Sequence, residues 1–137
     1  MSKIKYDIDL MKFMQLFENL TRSKLKDCII GDPLIFVVEE KEIGKAIGKG
    51  GSNVRRLEGL LKKKIKIVEF NPNIQRFIRN FVMPLRVKEV IEEEGIVTIT
   101  GNDTKTKGLL IGRERKNLDN LKEIVKRYFT IEDIKVV

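Results

Sequence analysis

The sequence predicts an α+β fold built from two copies of one α-β-β-α-α-β module. Three observations lead there. Apolar residues switch between helical and strand spacing in the same order twice. Glycines and apolar anchors recur at a shift of 64 residues. A length of 137 residues suits one ordinary domain or two very small ones packed together. The first copy is expected over residues 1–70 and the second over 71–137.

In the first copy, Asp7 to Leu20 reads as an amphipathic helix with Asp7 or Asp9 as cap, and Leu10, Phe13, Met14, Phe17 and Leu20 on one face. Asp27-Cys28-Ile29-Ile30 and Leu34 to Val38 read as a hairpin of apolar strands around the turn signal Gly31-Asp32-Pro33. Glu42 to Ile47 is a short helix, and Gly48 to Gly51 a glycine loop. A longer helix follows to about Leu61, capped by Ser52 or Asn53, with Val54, Leu57, Leu60 and Leu61 as its core stripe. Ile65 to Val68 alternates as the closing strand.

The second copy opens at Asn71-Pro72, a cap followed by proline at the first helical position, and Pro84 ends that helix. Ile74, Phe77, Ile78 and Phe81 make its buried stripe. Strands Arg86 to Ile91 and Ile96 to Thr100 meet at a turn around Glu94-Gly95. A short helix (Thr104 to Ile111), a tight Gly112 loop, a longer helix (Lys116 to Phe129) and a strand (Asp133 to Val137) complete it. The shift pairs Gly44 with Gly108, Ile47 with Ile111, Gly48 with Gly112, Asn53 with Asn117, and Leu57 with Leu121. Units of about 65 residues bury only about 60% of their unfolded surface and are marginal alone, so the two are expected to pack together.

Composition removes whole classes of activity. Without histidine there is no His/Cys zinc cluster and no serine–histidine or cysteine–histidine nucleophile pair, so no catalytic, metal or cofactor site is expected. The single Cys28 has no disulfide partner and reads as a small buried residue. No apolar run is long enough for a bilayer, and the first residues carry no apolar signal region; a cytoplasmic protein with no membrane partner is expected.

Net charge is +8 and the pI near 9.6, and the excess is clustered. Residues 41–66 carry nine lysines and arginines against Glu42 and Glu58, a net of +7. In the middle lies Ile47-Gly48-Lys49-Gly50-Gly51-Ser52-Asn53-Val54. Glycines between two helices let the backbone take conformations other residues reach only with strain, and keep side chains away from a helix start that attracts phosphate. A Walker loop is excluded because Gly50 follows Lys49, and a dinucleotide fingerprint because Asn53 stands at the third glycine position. By itself the turn fits either a structural helix–turn–helix corner or phosphate binding; the surrounding charge favours the second.

Ile47-Gly48-Lys49-Gly50-Gly51 between two helices resembles the GXXG signature of KH domains, which bind RNA or single-stranded DNA, and the element order matches their type II variant. Two such modules, with Asp27 to Ile30, Ala46 to Arg56 and Phe77-Ile78-Arg79-Asn80, resemble the archaeal NusA-type transcription factors over nearly the whole chain. Bacterial members of that family carry further domains, for which a chain of this length is expected to have no room.

The resemblance implies that Gly48, Lys49, Gly50 and Gly51 clamp a sugar–phosphate backbone beside a groove for about four unpaired nucleotides. Ala46, Ile47 and Val54 are candidates for its apolar wall or ordinary core, and Asn53, Arg55 and Arg56 for polar contacts. Lys62 to Lys64 read as a distant electrostatic guide. In the second copy Gly112, Arg113, Arg115 and Lys116 are the matching candidates, but Arg115 stands where the pattern expects glycine, so binding there is expected to be altered or weakened. Glu92-Glu93-Glu94 reads as a solvated turn.

The implied function is a non-catalytic factor that binds single-stranded nascent RNA during transcription elongation, termination or antitermination, with RNA polymerase as partner. The alternatives are a ribosomal or RNA-processing KH protein bound to rRNA, a phosphotransferase using the glycine loop, and a protein-interaction scaffold.

Overall fold

A computed structural model describes residues 3–137, with side chains from Asp7 onward, and the chain divides into two compact units, Met1–Phe70 and Asn71–Val137. The first runs α1 (Lys3–Thr21), β1 (Leu25–Ile29), β2 (Leu34–Val38), α2 (Ile43–Ile47), a 3-10 turn (Lys49–Gly51), α3 (Ser52–Leu61) and β3 (Ile65–Glu69). The second runs α4 (Ile74–Val82), β4 (Val87–Glu93), β5 (Ile96–Gly101), α5 (Thr104–Ile111), a 3-10 turn (Arg113–Arg115), α6 (Lys116–Tyr128) and β6 (Asp133–Val136). Both units are mixed α+β with the same order of elements.

In the first unit β2 is the central strand, antiparallel to β1 and parallel to β3. All five of its residues are buried, which is why Leu34 to Val38 is a continuous apolar run rather than an alternating one. Phe17 of α1 stacks on Phe36 of β2 with ring centroids 4.3 Å apart, and Cys28, Ala46 and Leu57 are buried in the same cluster. A parallel return from β2 to β3 cannot be a tight hairpin. The connection is therefore α2, the turn and α3, and this crossover carries the glycines.

The second unit repeats the topology, with β5 between antiparallel β4 and parallel β6. Phe77, Ile78 and Phe81 of α4 are buried, as are Leu118, Leu121, Ile124 and Val125 of α6. Phe77 meets Tyr128 edge-on at 5.6 Å. The β4–β5 hairpin closes on Glu94-Gly95, both left-handed (φ 51° and 82°), the turn whose twist matches paired strands.

The first helix begins at Lys3, so Asp7 and Asp9 lie inside it and cap nothing. The strand of the first hairpin starts at Leu25, before a bulge between Leu25 and Asp27. Neither Ser52 nor Asn53 caps α3; the N-cap is Gly51, in the left-handed region. The α4 cap is Asn73, whose side chain accepts from Arg76 N–H at 3.0 Å, while Asn71 accepts from Asn73 N–H at 2.8 Å. Leu60 is 61% exposed and leaves the α3 core stripe to Leu57, with Val54 and Leu61 half-buried. Glu92 and Glu93 belong to β4, leaving only Glu94 in the turn.

Candidate nucleic-acid interface

The turn between α2 and α3 is built from three positive-φ glycines. Gly48 lies at φ 79°, ψ 166°, a region essentially closed to other residues; Gly50 lies at 61°, 23° and Gly51 at 77°, 18°. A β-carbon on Gly50 would meet nothing within 4 Å, so the tip is open on its outer side. No side chain caps α3 at Gly51, which leaves the positive end of that helix facing the turn.

Asn53 holds the two helices together across this turn. Its Nδ2 donates to the Lys45 carbonyl of α2 at 3.1 Å. Gly48 makes room for it: a β-carbon there would stand 2.9 Å from Asn53 Cγ and 2.8 Å from Ser52 Oγ. Arg55 also reaches back, donating from Nη1 to the Gly50 carbonyl at 2.5 Å. Asn53 and Arg55 thus brace the turn from its α3 side, a role the sequence reading missed. The signal was present, since Asn53 and Asn117 coincide at the 64-residue shift.

The remaining site residues are distributed in layers. Lys49, Arg55 and Arg56 are exposed, Ile47 and Val54 are half-buried, and Ala46 is fully buried in the core cluster. Ala46 therefore cannot line an open groove. Lys41, Lys45, Lys62, Lys63 and Lys64 are exposed. Lys66 is half-buried on β3, and desolvation there lowers its pKa from the ordinary lysine value. The two acids of the basic window are turned to backbone amides: Glu42 accepts from Lys24 N–H at 2.7 Å and Glu58 from Ile65 N–H at 3.4 Å. Among the described residues neither Glu42 nor Glu58 forms an ion pair with the window's lysines and arginines.

The second turn keeps the backbone of the first with different side chains. Gly112 lies at φ 76°, ψ 172°, Glu114 at 55°, 30° and Arg115 at 63°, 16°, each within about 15° of its counterpart. Asn117 repeats the brace, donating from Nδ2 to the Leu109 carbonyl at 2.9 Å. Two consecutive non-glycine residues thus occupy the left-handed region. Arg113, Glu114, Arg115 and Lys116 are exposed, and an open depression there is lined by Arg113, Glu114, Lys116, Asp119 and Asn120. Its charge is mixed, unlike that of the first turn.

The family described as KH domain matches residues 14–92. A "Probable transcription termination protein NusA" from Methanocaldococcus jannaschii is 31% identical over all of this chain and 77% of the relative. One from Halobacterium salinarum is 32% identical over 97% of this chain and 98% of the relative. The chain belongs to the NusA-like KH family. A solved structure points the same way: the crystal structure of APE1850 aligns with this KH protein at a TM-score of 0.74 and 27% identity, covering 95% of this chain and 99% of that one.

Proposed function

We propose that this NusA-like KH protein is a non-catalytic factor that binds single-stranded RNA and acts in transcription elongation, termination or antitermination, with the nascent transcript and RNA polymerase as partners in the cytoplasm. The observation that carries the reading is the braced, open glycine turn Gly48–Gly51 at the start of α3, inside a window of net charge +7. The names of the archaeal relatives supply the transcriptional context. Among the described residues no helix is long and apolar enough to cross a membrane, and no cluster of side chains is suited to a metal ion.

In mechanism, a phosphate approaches the backbone of Gly48, Gly50 and Gly51, where no β-carbon intervenes, and the α3 dipole and Lys49 stabilise its charge. Bases lie beside Ile47 and Val54, and Arg56 reaches the next phosphate. We read both units as type II KH modules, 1–70 intact and 71–137 degenerate. Gly112, Arg113, Arg115 and Lys116 then form a second, weaker contact. Glu114 opposes a phosphate at the place where Gly50 admits one.

In-cell crosslinking followed by identification of bound RNA and proteins tests this directly. Nascent transcripts together with polymerase subunits are expected; mature rRNA alone would overturn the transcriptional assignment. In a competition assay at fixed salt, single-stranded RNA is expected to outcompete duplex, with a log–log salt slope of about −0.7 per neutralised phosphate. A duplex preference would sink the KH mechanism itself.

A further inference from the structure

Outside both turns, the second unit has a cavity of about 290 Å³ where α4 ends and β4 begins, lined by Arg79, Asn80, Met83, Leu85, Arg86 and Val87 among others. Its chemistry is divided. Two guanidiniums offer donors, and Met83, 62% exposed, and the half-buried Leu85 offer apolar surface. No carboxylate lines it. Arg79 is held in place, donating from Nη1 to the Val87 carbonyl at 3.0 Å, which leaves most of its five N–H donors uncommitted. The Arg86 backbone is fixed in turn, its carbonyl accepting from Asn102 Nδ2 at 2.8 Å. Among the described residues neither arginine forms an ion pair.

Unpaired arginines beside an exposed thioether match a ligand with an anionic part and a flat apolar part. We infer that this cavity is a nucleotide subsite for single-stranded RNA, with phosphate on Arg86 and Arg79 and a base against Met83 and Leu85. Planar guanidiniums suit phosphate oxygens, and a methionine side chain packs against any base without reading its sequence. The subsite rests on the RNA-binding reading and extends it, giving the chain a contact that does not depend on a glycine turn.

The test uses the full chain with oligouridylates of about four and about twelve nucleotides, lengths that fill one groove and exceed it. Arg86→Ala and Met83→Ala alter exposed side chains, and circular dichroism checks that both fold. Each is expected to weaken the longer oligonucleotide several-fold and to leave the shorter one unchanged. Arg86→Ala should also flatten the salt slope by about 0.7, one phosphate contact. A longer RNA carrying photoreactive uridine should crosslink to the peptide holding residues 79–86. Unchanged affinity and slope for the longer RNA would overturn the subsite, as would lost binding of an acidic peptide or of polymerase with RNA binding intact. Wild-type protein that binds neither RNA would instead overturn the RNA-binding reading itself, so the two failures are distinct.

Discussion

Gly48 and Gly50 both have positive φ, yet replacing each by alanine should have very different consequences. At Gly48 the backbone (φ 79°, ψ 166°) lies where a side chain costs about 1–3 kcal/mol. The new methyl would also stand 2.9 Å from Asn53 Cγ, so the Asn53–Lys45 hydrogen bond must break or shift, costing about 0.5–1.5 kcal/mol. Reduced freedom of the unfolded chain returns about 0.4–1 kcal/mol. The net loss is about 2–3 kcal/mol. At Gly50 (φ 61°, ψ 23°) the left-handed penalty is about 1–2 kcal/mol, nothing lies within 4 Å, and the same unfolded-state term offsets part of it. Gly50→Ala should therefore cost about 0–1.5 kcal/mol. Urea unfolding of the full chain, followed by far-ultraviolet circular dichroism, measures both. Asn53→Ala should add little on top of Gly48→Ala, because the bond is already lost. Equal costs at the two glycines, or full additivity with Asn53→Ala, would refute the brace.

Other outcomes follow from the same geometry. Lys49→Asp with Gly50→Asp should remove most RNA affinity while the protein stays folded, and Arg113→Asp with Glu114→Asp should cost clearly less because one carboxylate is already there; equal losses at one salt concentration would reverse the ranking of the turns. Arg115→Gly relieves a left-handed φ of 63° and should stabilise the second unit by about 1 kcal/mol, read as a higher urea midpoint. Cys28 is fully buried, so Cys28→Val should cost less than about 1.5 kcal/mol and leave RNA binding intact, and rapid labelling of the native thiol would contradict its burial. The Asp103 pKa is lowered chiefly by the backbone hydrogen bond from Thr106, so its contribution is complete above the ordinary aspartate pKa and lost as pH falls through the lower folded value. Asp103→Asn should make the acid limb of the stability curve shallower; an unchanged limb would count against the cap.

The order of elements was legible in the sequence because each has its own periodicity: the continuous apolar Leu34–Val38, the helical spacing of Phe77, Ile78 and Phe81, and the glycines between α2 and α3. The basic window was legible too, since charge is additive along a chain. Helix starts were not. Asn53 and Asn71 have capping chemistry, but a cap depends on local backbone angles, and these placed the caps at Gly51 and Asn73; Asp7 lies inside a helix that begins at Lys3. Burial depends on distant elements: they resolve Ala46, open between groove wall and core, into the core cluster, and turn Leu60, expected in the core stripe, outward. Which residues are available to meet a phosphate follows from their order along the chain. Folding in three dimensions is what brings Asn53 and Arg55 back onto the turn to brace it, and puts Arg79 and Arg86 around one cavity. Those roles depend on which carbonyls and side chains come within hydrogen-bond distance, and chain order does not specify that.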